Sequence, residues 1–599
     1  MKRNLLIHLL LSAVVAVSLQ GCCKVQQRPQ GLYEPELTKY KTVGKASQSS
    51  ALLGTVGSLD VHYQPDEKPQ MSYTKTWTVT AWKAERVNGK FLVWSDAETK
   101  HTRLSVTDMV GKDGRRISSE NIRPYFQRYV LADNTPIADI TNTCNMKMNP
   151  WRRADIKPIA DIIDTAAYID IPQRTIRQIW LMVDVPPDAA AGSYQGKLLV
   201  RANEGKEISF DLKLTVLDKV LPPPSQWKFW LDLWISPWAV ARYHHVPLWS
   251  DEHLQIMKPY LEKAADIGQK CIHLCIMDFT WGDQLWGEEP LDTLSSLIKW
   301  TKNADNTWTF DYTIFDRYVS FAAECGLTGQ LNCDSMVTWG NNYYYHDGAT
   351  GDYIVRQLTP GSDEYNALWI PFLEDFTRHL KEKGWLDRAV IYFNERLPHE
   401  TMKAVELVQK YAPGLNCALA GNNHSEYYDT MRDYSLITPE VNGVPDDVRA
   451  RRLERGWTTT FYVCCWPARP NNFTFGPPIE NVWMGWYAAA EGLDGFLRWN
   501  FNMWIRDPFA TTDYGSWGSG DTLLVYPGPR SSIRFERLRE GIQDFEKIRI
   551  LRQQWKTEGP DSQKKLAELD KLLENFRYPD CGTPQQIAVN IYKARALLN

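Results

Sequence analysis

The sequence predicts a multidomain chain: an N-terminal all-β sandwich, a (β/α)8 TIM-like barrel and a C-terminal helical segment. Three observations carry this prediction. Residues 52–218 run in short apolar or alternating stretches broken by turn residues, with no helical period. Leu221-Pro222-Pro223-Pro224 then ends that texture as a stiff linker. Beyond it strand-like and helix-like runs alternate to about residue 529, and helical runs fill the rest. With 599 residues the chain is too long for one ordinary domain, and two or three are expected.

Taken in order, the first element is a leader. Lys2 and Arg3 precede an apolar run over residues 5–17, which is too short to span a bilayer. Ser18-Leu19-Gln20-Gly21-Cys22 follows, with Leu at −3 and Gly at −1 before the cysteine. This resembles the cleavage box of a bacterial lipoprotein, with a plain signal peptide as the alternative. The resemblance implies a signal peptide over 1–21 and lipid on Cys22. It also implies a chain held at the cell envelope by a membrane anchor, on the outer membrane at its periplasmic or surface face. Residues 22–50 are polar and suit a tether.

The sandwich is expected over 51–220. "KFLVWSDA", "TRLSVTDMV", "RQIWLMVDV", "GKLLVRA" and "ISFDLKLTVL" have strand length and composition, and Asn88-Gly89, Asp113-Gly114 and Gly192 read as turns.

Over 225–529, eight strand candidates occupy residues 227–235, 271–277, 328–333, 389–393, 416–420, 434–438, 459–465 and 495–499. Helical runs over 253–267, 315–325, 365–383, 401–411, 444–455 and 479–491 lie between most of them. Eight such units in about 270 residues is the size of a (β/α)8 barrel. Residues 530–599 read as amphipathic helices packed on that barrel.

Barrel active sites are built at the C-terminal ends of the strands. "AVIYFNERL" is a buried strand, the fourth, that ends on Asn394 and Glu395. One alternative pairs Glu395 with Arg396 or His399 at a helix start. Other strand ends supply stacking rings and hydroxyl-binding groups: Trp234 after the first, then Asn332, Asp334, Trp339, Tyr343 and Tyr344 after the third. Trp466 follows the seventh, and Trp499, Asn502 and Trp504 the eighth. Aromatic platforms interleaved with amides and carboxylates are what a pyranose site requires. The 25 Trp and 28 Tyr agree with such a site.

Two chemistries fit Glu395. An ordinary retaining glycosidase needs a second carboxylate as nucleophile, about 5–5.5 Å away. Strand seven ends in Cys464-Cys465-Trp466-Pro467, with no carboxylate, so the nearest substitute is Glu440 in "ITPEVNG". In the other chemistry the substrate's 2-acetamido oxygen attacks the anomeric carbon, Glu395 protonates the leaving oxygen, and Asn394 holds the acetamido group. A noncatalytic glycan-binding lipoprotein is a third reading.

Composition excludes other classes. A net charge of −4 gives no footprint for nucleic acid. Eleven cysteines in so long a chain do not form a disulfide framework; Cys464 and Cys465, like most others, sit in apolar runs and read as small buried hydrophobes. Cys271 and Cys275 lack a second ligand pair at zinc spacing, so neither a metal nor another cofactor is expected.

From "FWLDLWISP" through "YFNERLP" to "GDTLLVYPGPRSSIRFERLREGIQDFEKI" the chain resembles glycoside hydrolase family 123, and "VDVPPDAAAGSYQGKLLV" looks like that family's preceding sandwich. The resemblance implies an exo-acting β-N-acetylgalactosaminidase with substrate-assisted retention, acting on a glycan or glycolipid that ends in β-linked N-acetylgalactosamine. It implies Glu395 as acid/base and Asn394 as orienter of the acetamide.

The leader yields a first prediction. The mature protein should partition with membranes and carry lipid on Cys22, and Cys22→Ser should abolish metabolic labelling with a fatty acid. Unchanged labelling in that variant would reject the lipoprotein reading.

Overall fold

The computed structural model describes residues 51–133, 156–281, 294–514 and 517–599. The expected leader, Cys22 and the tether lie outside these residues.

Two β-sheets form the N-terminal sandwich. One has five strands in the order Leu52–Gly57, Arg86–Ser95, Arg177–Asp184, Ile122–Asp133 and Ile156–Asp164. The other is built on Thr76–Lys83, Glu207–Val220, Gly192–Arg201 and Thr99–Val106. Alternate residues such as Ile208, Phe210, Leu212 and Leu214 point into a shared core with Phe91, Ile179 and Leu181. Asn88-Gly89 is not a turn but lies within the strand Arg86–Ser95. A Cβ on Gly89 would stand 2.9 Å from Trp77 Nε1, so the glycine makes room for that ring.

Eight parallel strands form the barrel: β1 Trp230–Leu233, β2 Cys271–Cys275, β3 Gln330–Asp334, β4 Ala389–Phe393, β5 Asn416–Gly421, β6 Met431–Ile437, β7 Thr458–Val463 and β8 Gly495–Arg498. They neighbour one another in that order, and β8 pairs with β1. Between β1 and β2 the ring is nearly closed by one bridge, Leu231 to Gln269. There the Gln269 side chain replaces the ladder. Its Oε1 accepts from Leu233 N at 2.8 Å, and its Nε2 donates to Leu233 O and Cys271 O at 3.0 and 2.8 Å.

A second sheet of four strands stands beside the barrel, in the order Trp308–Asp311, Lys299–Lys302, Asn342–Asp347 and Tyr353–Gln357. The stretch after β3 that reads as a site loop is in part a strand of this sheet.

The C-terminal segment departs from the amphipathic expectation. Its first helix, α1 (Ile533–Trp555), is buried nearly all round, charged residues included, because it fills the seam between sandwich and barrel. Arg534 and Asp161 are both fully buried and pair at 2.9 Å, and Arg534 Nη1 also donates to the carbonyls of Asn472, Gly520 and Leu523. Lys547 pairs with Glu85 at 2.7 Å and Arg86 with Asp184 at 2.5 Å. Charges at this depth are tolerated because each is paired. The barrel helix Ile479–Glu491 touches α1 so closely that a Cβ on Gly485 would fall 1.9 Å from Gly541 O.

Because one buried partner stranded without the other is strongly destabilising, Arg534→Met should cost about 3–5 kcal/mol in chemical denaturation. A loss under about 1 kcal/mol would show that the seam does not depend on this pair.

Candidate active site

All five residues of β4 are buried, since barrel strands are covered on both faces. The chain leaves the barrel at Asn394 and Glu395, and Pro398 starts the next helix, Pro398–Tyr411. Arg396 turns away from Glu395. It pairs with Glu400 at 3.2 Å and lies 5.0 Å over the Trp339 ring, which leaves Glu395 free of the helix-start pairing considered as an alternative.

A cavity of about 230 Å³, open to solvent, covers this strand end. Asn394 and Glu395 line it together with Trp234, Trp281, Trp339, Trp499, Trp517 and Tyr462. The rings form a continuous wall: Trp234 to Trp281 at 4.7 Å, Trp281 to Trp499 at 6.1 Å and Trp499 to Trp517 at 5.6 Å between centroids. Three of these indoles donate to carboxylates behind the wall. Trp234 Nε1 reaches Asp232 at 3.3 Å, Trp281 Nε1 reaches Asp334 at 2.6 Å, and Trp499 Nε1 reaches Asp521 at 2.9 Å. The platforms are therefore fixed before any sugar arrives.

Glu395 is reached by solvent through the cavity but has protein on every other side. That enclosure raises its carboxyl above the usual range; the Tyr462 hydroxyl, which donates to Glu395 Oε1, opposes the shift, and the nearby negative charge of Glu440 adds to it. A carboxyl whose acid form is favoured in this way is suited to protonate a leaving group.

Asn394 is held differently. Its Nδ2 donates to Asp334 Oδ1 at 3.1 Å, while its Oδ1 is buried and has no hydrogen-bond partner. Asp334 is fully buried, and the loss of hydration pushes its carboxyl up to about 7 against the hydrogen bonds from Trp281 and Asn394.

Of the residues picked from strand ends, Trp234, Trp339 and Trp499 stand at the cavity wall with Asn394 and Glu395. Asp334 stands behind the wall. Asn332, one layer deeper in the barrel, is used up between Gln330 and Asp232 at 3.0 and 2.9 Å. Asn502 exchanges two hydrogen bonds with the Ser236 backbone, at 2.8 and 3.0 Å, and joins the β8 loop to the β1 loop. Trp504 is core, its indole donating to Val525 O at 2.8 Å. Tyr343 is core too, and Tyr344 stacks on Phe279 and Tyr353 in the small sheet, beside a different cavity. Trp466 is half-buried and does not line the site cavity. Glu440, on the turn Thr438–Gly443 after β6, is likewise absent from the lining, and its Oε2 accepts from Asn423 N at 2.5 Å. Cys465, read from sequence as a plain buried thiol, is disulfide-bonded, a pairing that local pattern does not reveal.

Sequence reasoning missed Trp281, Trp517 and Tyr462. Trp281 follows the end of β2 much as Trp339 follows β3, so the same rule would have found it. Tyr462 is a strand residue pointing inward one step before the end of β7. Among the described residues no cluster of His, Cys, Asp and Glu could hold a metal ion.

Comparison with known proteins decides the family. Residues 234–551 match the model of the glycoside hydrolase 123 catalytic domain, and residues 56–202 that of the family's N-terminal domain. The chain belongs to glycoside hydrolase family 123. A family 123 glycoside hydrolase from Clostridium perfringens, analysed for glycolipid glycan hydrolysis, superposes with a TM-score of 0.81 at 27% identity, over 92% of this chain and 97% of that one. A GH5 xyloglucanase from Bacteroides ovatus aligns only loosely, with a TM-score of 0.29 at 9% identity over 82% of this chain and 100% of that one. No curated protein matches the chain. The family 123 assignment makes the chain a glycoside hydrolase and sets aside the noncatalytic reading.

The site of this hydrolase yields a titration prediction. Tyr462→Phe removes the donor that holds Glu395 down, so the Glu395 carboxyl should titrate at higher pH, as read from carboxyl carbon shifts in labelled protein. A carboxyl that titrates unchanged or lower would contradict the assigned contact.

Proposed function

We propose that this family 123 hydrolase is an exo-acting, retaining β-N-acetylgalactosaminidase that uses the substrate's own acetamido group as nucleophile. The observation that carries this reading is Asn394 in the cavity lining, held through its Nδ2 with its Oδ1 unpartnered, beside Glu395, the one carboxylate among the described lining residues. An oxygen so placed accepts the acetamide N–H and turns the acetamide carbonyl oxygen toward the anomeric carbon. That oxygen forms the new C–O bond while the glycosidic bond breaks, and the departing oxygen takes the proton of Glu395. The product is a cyclic oxazolinium. The Glu395 carboxylate then removes a proton from water, which attacks the anomeric carbon and reopens the ring with retained configuration. The tryptophan wall supplies stacking faces for the sugar. The Clostridium perfringens relative supports a glycolipid glycan as substrate, and a lipid anchor at Cys22 would hold the enzyme at the cell envelope.

The two-carboxylate reading rests on the electrostatic influence of Glu440 on Glu395. The variants separate the two. Glu395→Gln should lose roughly 100-fold or more on substrates with basic leaving groups. Asn394→Ala should fall by a similar factor on N-acetyl substrates, and Glu440→Gln should stay within about tenfold of the parent. A thiazoline mimic of the oxazolinium should inhibit competitively. Collapse of Glu440→Gln with rescue by azide, or a glycosyl adduct trapped on Glu440, would replace this mechanism by the other.

A further inference from the structure

We infer that Asp334 is a positioning residue that fixes which face of the Asn394 amide meets the substrate and supplies, one hydrogen bond behind it, the negative charge that the neutral amide lacks. The inference rests on the substrate-assisted reading above.

An asparagine side chain presents a carbonyl oxygen on one arm and an NH2 on the other, and the two arms have nearly the same shape. Its partners alone decide which arm points where. Asp334 in its ionised form, reached above about pH 7, offers only acceptors, so the Asn394 Nδ2 then faces it, at 3.1 Å from Oδ1. Oδ1 is thereby left as the arm of this cavity-lining residue that has no partner among the described residues. The reversed amide would aim its NH2 at the acetamide N–H, donor against donor. Trp281 completes the arrangement by donating to the other Asp334 oxygen at 2.6 Å, so that neither carboxylate oxygen is free to turn.

Charge gives Asp334 a second task. An amide at position 394 answers a cationic oxazolinium with a dipole alone. The Asp334 carboxyl is fully buried, and among the described residues no cation stands with the groups that act on it. An isolated buried carboxylate is costly, and such a group calls for a counter-charge. A positive intermediate held on Asn394 Oδ1 is that counter-charge, felt through a polarised amide in a poorly screened setting. The titratable side chains that face Asp334 are Cys275 on β2, Cys333 on its own strand and Tyr392 on β4; burial pushes all three upward, which leaves them uncharged near neutrality.

An exchange of the two side chains tests this. Asp334→Asn keeps shape but turns both groups into amides; Asn394 must then flip to satisfy its neighbour, and kcat on an aryl N-acetyl-β-galactosaminide should fall roughly 100-fold. The double variant Asp334→Asn/Asn394→Asp restores one amide and one carboxylate in reversed order. The Trp281 indole donates to the introduced amide oxygen, and the introduced NH2 donates to the carboxylate now lining the cavity. It should recover about tenfold or more of the loss. A purely structural role for Asp334 predicts no such rescue. The inference is overturned if folded Asp334→Asn keeps the parent kcat, or if the double variant is no faster than Asp334→Asn. Should Asp334→Asn fail to fold, Trp281→Phe serves instead. It removes one of the two donors to the carboxylate, so the acid limb of kcat/KM should move to higher pH, and an unmoved limb overturns the inference. Failure of the thiazoline to inhibit the parent enzyme is a distinct outcome: it removes the substrate-assisted reading, and this inference with it.

Discussion

The hydrogen bond from Asn394 to Asp334 ties the end of β4 to the end of β3, and the arrangement of the site follows from it. It exists because Asp334 lies opposite Tyr392 in the parallel register of those strands, with Asn394 two residues further on the same face. A slip of one residue in either strand would turn one of the pair out of the barrel. β2 holds its own register to β3, Cys275 opposite Asp334, and the loop beyond β2 brings Trp281 back over the same carboxylate. From the far side of the ring, β7 contributes Tyr462 to Glu395. Three strands, β2, β3 and β7, each placed by backbone hydrogen bonds to its neighbours, thus converge on two adjacent residues at the exit from a fourth, β4.

Buried acidic groups recur as the means of fixing position in this molecule. Behind the cavity, the carboxyl groups of Asp232, Asp334 and Asp521 each receive an indole N–H and so hold three of the stacking rings. Away from the cavity, α1 carries arginines and glutamates into the seam between the domains, where Arg534 and Asp161 join the sandwich to the chain segment that follows β8. The sandwich is thereby fastened to the loops that form one side of the site. A hydrophobic seam would be as stable, but hydrogen-bonded charge sets orientation as well as attraction.

Much of this was legible in the sequence because barrels repeat a strong pattern. The eight strand candidates each overlap one of β1 to β8, and Ala389–Phe393 matches to the residue, since a short apolar run between a helix and a proline admits few alternatives. Asn394 and Glu395 followed from their place after that run. Less was legible where packing overrides pattern. Gly89 reads as a turn and instead makes room for Trp77. Helix α1 reads as amphipathic because ten of its 23 residues are charged, yet most of those charges are buried, some against partners hundreds of residues away. Asn332, Asn502 and Trp504 look like ligands for sugar, and neighbours on other strands consume their polar groups instead. Sequence gives the residue type at a strand end; only the closed barrel shows whether its hydrogen bonds are already spent.

The most direct test of the central claim is to follow, by proton NMR, the first sugar released from paired aryl β-glycosides of N-acetylgalactosamine and galactose. Substrate-assisted retention requires the β-anomer of N-acetylgalactosamine to appear first and the plain galactoside to be left almost untouched, because the nucleophile belongs to the acetamido group. Efficient release of galactose, or first appearance of the α-anomer, would contradict it.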